Sequence, residues 1–316
     1  MAEIGRILKS TGSWYNVLLP DGETITCRLR GKIRLAGLKT TNPVAVGDEV
    51  TLSDVRDDEN RGMIISINPR KNYLVRKSTN LSKQMQILAS NIDRVYLMVT
   101  LKSPDTQIAF IDRFLVSAES FRIPCTLIFN KMDIYDEEDK FMVDALIDLY
   151  AQIGYPSHKI STINDENLDF LKKEINGNSV MIGGHSGVGK STLINHLDSS
   201  IHTKTGEISK AHQQGQHTTT FAEMYPLKTG GFIIDTPGIR AFGIVDLQKE
   251  HISHYFPEFR ERMGKCKFNN CKHINEPKCI IKEDVENGKI AETRYYTYQQ
   301  LMTEDANDTF RKNDHV

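Results

Sequence analysis

Eight residues near the middle of the chain, Gly184-His-Ser-Gly-Val-Gly-Lys-Ser191, restrict the possible folds more than any other segment. They fit G-x-x-x-x-G-K-[ST] throughout, follow the apolar run Val180-Met-Ile182, and open a segment whose Leu193, Ile194 and Leu197 mark one helical face. A strand, a glycine-rich turn and a helix in that order make a phosphate-binding loop, which needs a parallel sheet behind it. Each residue type has its own task. Gly184, Gly187 and Gly189 let the backbone around His185, Ser186 and Val188 turn its N–H groups onto phosphate oxygens. Lys190 neutralises the β- and γ-phosphates, and Ser191, followed by Thr192 in the same turn, presents a hydroxyl to Mg²⁺.

Two further segments belong with this loop. Asp235-Thr-Pro-Gly238 ends the apolar run Phe232-Ile-Ile234, where the Asp235 carboxylate can hold a Mg²⁺-bound water and the Gly238 amide can meet a γ-phosphate. Asn130-Lys-Met-Asp133 closes the run Cys125 to Phe129 and names the base. An Asp133 carboxylate can accept from N1–H and the exocyclic amine of guanine, an edge that adenine lacks, and a buried acceptor left without those donors is costly. Asn130 is expected at the other edge of the ring, the Lys131 stem over its face, and Met132 between them. Ser161 and Thr162 can add a backbone N–H to the guanine oxygen.

The surrounding sequence divides into three parts. Residues 1–72 read as short alternating strands broken by turns, with Pro20-Asp-Gly22 as a hairpin signal, and their number suggests a small barrel of the OB-fold kind. Residues 73–245 alternate apolar strands (Arg94–Val99, Cys125–Phe129, Ser179–Ile182, Gly231–Ile234) with helical segments (Ile108–Glu119, Glu137–Ile153), the pattern of parallel βαβ units with helices on both faces. Residues 246–316 are short and rich in His, Cys and charge. In that last part Cys266, Cys271, His273 and Cys279 present three thiolates and an imidazole, a closed tetrahedral set for one structural Zn²⁺. His251 and His254 are nearby alternatives ranked below His273. Cys27 and Cys125 fall in strands and read as core thiols.

Composition excludes several classes. With 39% hydrophobic and 26% charged residues the chain is neither disordered nor collagen-like. Lys and Arg total 40 against 41 Asp and Glu, so any nucleic acid must be met by a local patch. Arg28, Arg30, Lys32, Arg34 and Lys39 form such a patch, with no acid among them, on a strand and loop of the expected barrel. Lys265, Lys267 and Lys272 beside the expected metal ligands form a second. No apolar run approaches the ~18 residues of a membrane helix and no secretory signal is visible, so a cytoplasmic protein without a membrane partner is expected.

The order of the motifs is informative. The base-reading segment Asn130–Asp133 precedes the phosphate loop, which precedes Asp235–Gly238, whereas in ordinary GTPases the phosphate loop comes first and Asn-Lys-x-Asp comes late. In this order, with a barrel before and a Cys/His element after, the chain resembles the RsgA (YjeQ) family of circularly permuted GTPases over nearly its whole length. The resemblance implies an OB-fold barrel, a central permuted α/β P-loop GTPase domain and a small α-rich zinc domain. It also implies GTP hydrolysis to GDP, slow alone and stimulated by the small (30S) ribosomal subunit, whose rRNA and late maturation would be the target of a monomeric protein. His212-Gln-Gln-Gly-Gln-His217-Thr-Thr-Thr220 resembles the first switch of that family. Thr218 or Thr219 is then expected on Mg²⁺, with His217 and His212 as candidates for positioning water beside the catalytic Lys190. Ile239 stands where many GTPases carry a water-orienting Gln, so unassisted turnover on the order of 10⁻⁴ to 10⁻² per second is expected. Two rival readings are an RNA-binding assembly factor for which GTP is mainly a ligand, and a permuted GTPase of the large subunit.

Overall fold

The computed structural model describes residues 3–31, 42–77, 85–201, 222–235 and 247–304. Five strands open the chain: β1 (Glu3–Ser10), β2 (Tyr15–Leu18), β3 (Thr24–Leu29), β4 (Glu49–Leu52) and β5 (Gly62–Ile67). They pair β1-β2-β3-β5-β4 and close through β4 back onto β1, so the barrel has no open edge. In β3 the side chains alternate: Thr24, Thr26 and Arg28 face out, while Ile25 and Cys27 join Ile7, Val17, Val50 and Ile64 inside. The Asp21-Gly22 turn connects β2 to β3, with Gly22 at φ +90° and the Asp21 carboxylate accepting from the Glu23 N–H at 2.9 Å.

A two-stranded ribbon, β6 (Tyr73–Lys77) and β7 (Met85–Ser90), leads into the central domain. There β8 (Arg94–Val99), β9 (Cys125–Phe129), β10 (Ser157–Lys159), β11 (Ser179–Gly183) and β13 (Phe232–Asp235) lie parallel in the order β10-β9-β8-β11-β13, with β12 (Glu223–Pro226) antiparallel on the edge. Helices cover both faces, which is why β8, β9 and β11 are nearly continuous apolar runs. Val95, Leu97, Leu127, Phe129 and Ile234 pack toward α1 (Ile108–Ser120) and α2 (Glu137–Ile153). Tyr96, Met98, Ile128, Val180 and Ile233 pack toward α3 (Asp169–Ile175) and α4 (Lys190–Leu197).

The barrel continues the same sheet, because β12 pairs antiparallel with β1. A polar knot fastens the barrel to the β6–β7 ribbon. Asp48, fully buried, accepts from Arg70 at 2.6 Å, from the Ser90 hydroxyl at 2.6 Å and from the Ala45 N–H at 2.8 Å.

The C-terminal part comprises a 3₁₀ turn (Lys249–Tyr255), α5 (Pro257–Arg260), α6 (Ile280–Glu286) and α7 (Glu292–Thr303). It docks on α1, where Val116 shares a core with Ile252, Phe256, Phe259, Ile281 and Tyr298. Arg294 of α7 is fully buried there, donating to Glu258 at 2.7 Å and to Asp112 of α1 at 3.1 Å. Tyr150 and Thr297 donate to the same Asp112 carboxylate at 2.9 and 3.1 Å. Burial alone would pull the guanidinium down, but the two carboxylates outweigh it and Arg294 is held above its ordinary value. No described helix is long and apolar enough to cross a membrane.

Removing the cation from this knot leaves two carboxylates buried against each other. Arg294→Met is therefore expected to destabilise the α1–α7 contact by about 3–5 kcal/mol. The loss should appear as faster hydrogen exchange in α7 and a lower urea midpoint. Arg113→Ala, which breaks the more exposed pair with Glu304, should cost at most about 1 kcal/mol. Equal effects of the two variants would contradict the assigned role of Arg294.

Candidate nucleotide site and metal centre

The carboxyl ends of β8, β9, β10, β11 and β13 lie along one edge of the sheet, where open α/β folds take their ligands. The loop after β11 is the predicted phosphate loop. Gly184 lies at φ +134°, and a Cβ there would meet the Met98 carbonyl at 2.5 Å. Gly189, at φ +103°, leads into α4, and a Cβ there would fall 2.3 Å from the Asn130 amide nitrogen. The Lys190 ammonium lies within the loop, donating to the carbonyls of Gly184 at 2.8 Å and His185 at 2.5 Å. Ser186 and Gly187 are exposed, Val188 is buried, and Ser191 and Thr192 are exposed on the first turn of α4. The His185 ring lies against Phe110 of α1, centroids 3.8 Å apart.

The loops after β9 and β10 are fastened to the phosphate loop through Asn130. Its side chain is fully buried; Nδ2 donates to the Val188 carbonyl at 2.8 Å and to the Thr162 hydroxyl at 3.2 Å, while Oδ1 accepts from the Thr162 N–H at 3.1 Å. Asn130, expected at the base, thus spends both ends of its amide joining three loops. Lys131 takes a left-handed conformation, φ +70°, and its ammonium donates to the Ser103 carbonyl in the loop after β8. Met132 and Asp133 form a 3₁₀ turn. Asp133 is exposed, and its carboxylate accepts from the Ser161 hydroxyl at 2.5 Å. The structure therefore gathers Asp133, expected to read the base, the Ser161-Thr162 turn and the phosphate loop at one edge of the sheet.

Asp235 ends β13 directly opposite Glu223 of β12. Burial and the carboxylates of Glu223 and Asp235 together push the neighbouring Tyr225 phenol well above its ordinary range. His212, His217, Thr218, Thr219 and Gly238 lie outside the described residues, as do Lys32, Arg34 and Lys39 of the basic patch. Of that patch, Arg28 stacks over Trp14 at 3.7 Å on the outer face of the barrel, and Arg30 is exposed beyond the end of β3. Lys265, Lys267 and Lys272 are all exposed.

Sequence reasoning did not single out Ser103 or Phe110. A backbone carbonyl that anchors a lysine, and a ring that braces a loop distant in the chain, leave no residue-type signature.

The four metal-ligand candidates converge. The ligand atoms of Cys266, Cys271, His273 and Cys279 all lie within 4.8 Å of one another. Cys266 Sγ is 3.9 Å from Cys279 Sγ and 3.6 Å from His273 Nδ1, and Nδ1 is 3.3 Å from Cys279 Sγ. A tetrahedron about Zn²⁺ has ligand edges of roughly 3.5–3.8 Å, so this soft donor set fits the ion in both chemistry and spacing. Tyr295 and Tyr298 brace the loop, donating to the carbonyls of His273 and Lys272 at 2.8 and 2.7 Å. The Glu276 carboxylate accepts from the backbone of Lys272, Ile274 and Asn275. Burial pushes the Cys271 thiol up to about 12, raises Cys279 and lowers His273. Thiolates at this site therefore need a compensating cation. His251 and His254, rings 5.8 Å apart, are outside the cluster.

Comparison with known proteins agrees with this geometry. The model of the RsgA GTPase family matches residues 67–245 and that of the RsgA N-terminal domain matches residues 4–64. The chain belongs to the RsgA GTPase family. It is 53% identical over 309 residues to the small ribosomal subunit biogenesis GTPase RsgA of Christiangramia forsetii, covering 97% of this chain and 98% of the relative. The corresponding protein of Bacteroides fragilis is 47% identical over 307 residues, with 97% and 98% covered. Among solved structures, YjeQ from Thermotoga maritima superimposes with a TM-score of 0.77 at 35% identity, covering 96% and 98% of the two chains. YloQ, a circularly permuted GTPase, gives 0.74 at 29% identity, with 96% and 94% covered. The chain is accordingly a GTPase with a five-stranded barrel in front, a permuted nucleotide domain and a Cys/His cluster behind.

Only Cys279 of the Cys loop is buried in the C-terminal apolar core, with Cys266, Cys271 and Ile274 partly buried against it, so bound metal should supply much of that loop's folding free energy. One zinc per chain is expected by plasma emission spectroscopy. Chelation or Cys279→Ser should speed hydrogen exchange in residues 266–303 while leaving β8, β9 and β11 protected. Unchanged protection in the zinc-free protein would refute this.

Proposed function

We infer that the chain hydrolyses GTP during biogenesis of the small ribosomal subunit, bound to that 30S particle and its rRNA and stimulated by it. Its near end-to-end likeness to relatives named for small-subunit biogenesis supports this reading. The observation that carries the guanine site is the Asn130 clamp, which brings the Asp133 loop against the phosphate loop. The three units divide the work. Residues 1–72 contact RNA through Arg28, Arg30, Lys32, Arg34 and Lys39, residues 73–245 bind and cleave the nucleotide, and residues 246–316 carry the zinc.

Within the nucleotide domain, Asp133 reads the base and Ser161 orients its carboxylate. Asn130 holds the loops, and the Lys131 stem covers the ring while Ser103 anchors its ammonium. The backbone from Gly184 to Gly189 meets the phosphates, and Lys190 leaves its loop carbonyls for phosphate oxygens as charge develops there. The oxygen donors Ser191 and Asp235, with Thr218 or Thr219, match the hard-ligand chemistry of Mg²⁺, which when bound neutralises charge on the β- and γ-phosphates. His217 or His212 orients the attacking water. Ile239 cannot, so turnover waits for the subunit. The protein works as a cytoplasmic monomer, and GDP leaves after hydrolysis.

Two measurements test this. GTP turnover titrated with isolated subunits should rise at least tenfold with the small subunit and not with the large one; stimulation by the large subunit, or by neither, overturns the assignment. Asp133→Asn should weaken GTP binding by roughly a hundredfold or more and favour xanthosine triphosphate. Unchanged GTP affinity in that variant would remove Asp133 from the base.

A further inference from the structure

The barrel joins the central sheet at β12, the strand that lies between the two expected switch segments. On one side β12 pairs with β1 at Lys9↔Glu223, and on the other with β13 at Glu223↔Asp235. Residues directly opposed in antiparallel strands share a face, so Lys9, Glu223 and Asp235 form one row across three strands. The Lys9 ammonium holds the Glu223 carboxylate at 2.9 Å, and the Glu223 side chain is only 20% exposed. On the far side of Glu223 stands Asp235, and like charges opposed at a Cβ spacing of roughly 4.5–5.5 Å repel.

We propose that Lys9, a barrel residue, is a positioning residue of the hydrolytic site: it neutralises Glu223 and so sets the net charge beside Asp235. The inference rests on reading Asp235 as the acid that serves Mg²⁺. A unit charge gained or lost within roughly 10 Å of a divalent cation changes its affinity about two- to fivefold at physiological salt, and less as salt rises. The sign follows from which partner is removed. Lys9→Ala uncovers the Glu223 charge and draws the cation in. Glu223→Gln leaves the Lys9 charge uncompensated and opposes it. The barrel thereby acts on the cation's affinity without touching the nucleotide.

The test is the Mg²⁺ concentration needed for half-maximal retention of a fluorescent GDP by the full chain. The midpoint should fall two- to fivefold in Lys9→Ala, rise two- to fivefold in Glu223→Gln, and return near the parent value in Lys9→Arg and in the double variant. Both shifts should shrink in 0.5 M KCl, about three times the physiological ionic strength. A merely structural seam predicts weaker retention in both single variants, and that outcome, or no shift in either, overturns the proposal. Asp235→Asn separates the two layers. If it loses Mg²⁺ dependence while the Lys9 and Glu223 variants match the parent, only the barrel's role falls. If it keeps Mg²⁺ dependence, the reading of Asp235 falls and the proposal with it.

Discussion

Asn130 buries a side-chain amide where three loops meet, and a buried amide is tolerated only when its donors and acceptor are satisfied. Its partners are the Val188 carbonyl, the Thr162 hydroxyl and the Thr162 N–H, contributed by the loops after β11 and β10. If any one of the loops shifts, a polar group is stranded in the interior. The glycine at position 189 belongs to the same constraint, because any side chain there would occupy the place of the Asn130 amide. The geometry that places the Asp133 loop near the phosphate loop is thus a condition of folding the domain, independent of the order in which the segments occur in the chain.

The three units are joined by charge as well as by apolar contact. Asp48 with Arg70 and Ser90 ties the barrel to the β6–β7 ribbon, and Arg294 with Asp112 and Glu258 ties the C-terminal unit to α1. Buried pairs of this kind add little net stability over an apolar replacement but are costly to break, so they favour one docking geometry over near alternatives. α1 lies across both functional regions. Its Phe110 packs on His185 of the phosphate loop, and two residues on, Asp112 accepts from Arg294 of the C-terminal unit. The C-terminal unit that carries the Cys/His cluster and the phosphate loop are therefore both attached to one thirteen-residue helix.

Elements with a clean period were readable before folding. The runs Arg94–Val99 and Cys125–Phe129 and the helix Glu137–Ile153 have the bounds that their apolar spacing indicates, because burial on both faces or along one stripe leaves a regular pattern. β1 was not read, and the reason is visible: a bulge between Ile7 and Lys9 shifts its register and breaks the alternation that would have revealed it. β12 is four residues ending in proline, too short to carry a period. The Cys/His cluster was legible because thiolates and imidazole at short spacing have few other uses. Tyr295 and Tyr298, which brace that loop from α7, were not, since a tyrosine on a helix looks the same whether its hydroxyl meets water or a carbonyl.

The amino-acid sequence alone marked out the expected chemistry: a phosphate loop, an acid suited to guanine, a Cys₃His set suited to a metal and a barrel ahead of them, each defined by residue types and local spacing. Tertiary structure decided how these parts act on one another. It made Asn130 a clamp between three loops, put a fully buried arginine between two carboxylates, and aligned Lys9 of the barrel with Asp235 across three strands. Such pairings join residues up to more than two hundred positions apart, and nothing in their local sequence distinguishes a charge that will be buried and paired from one that will remain in water.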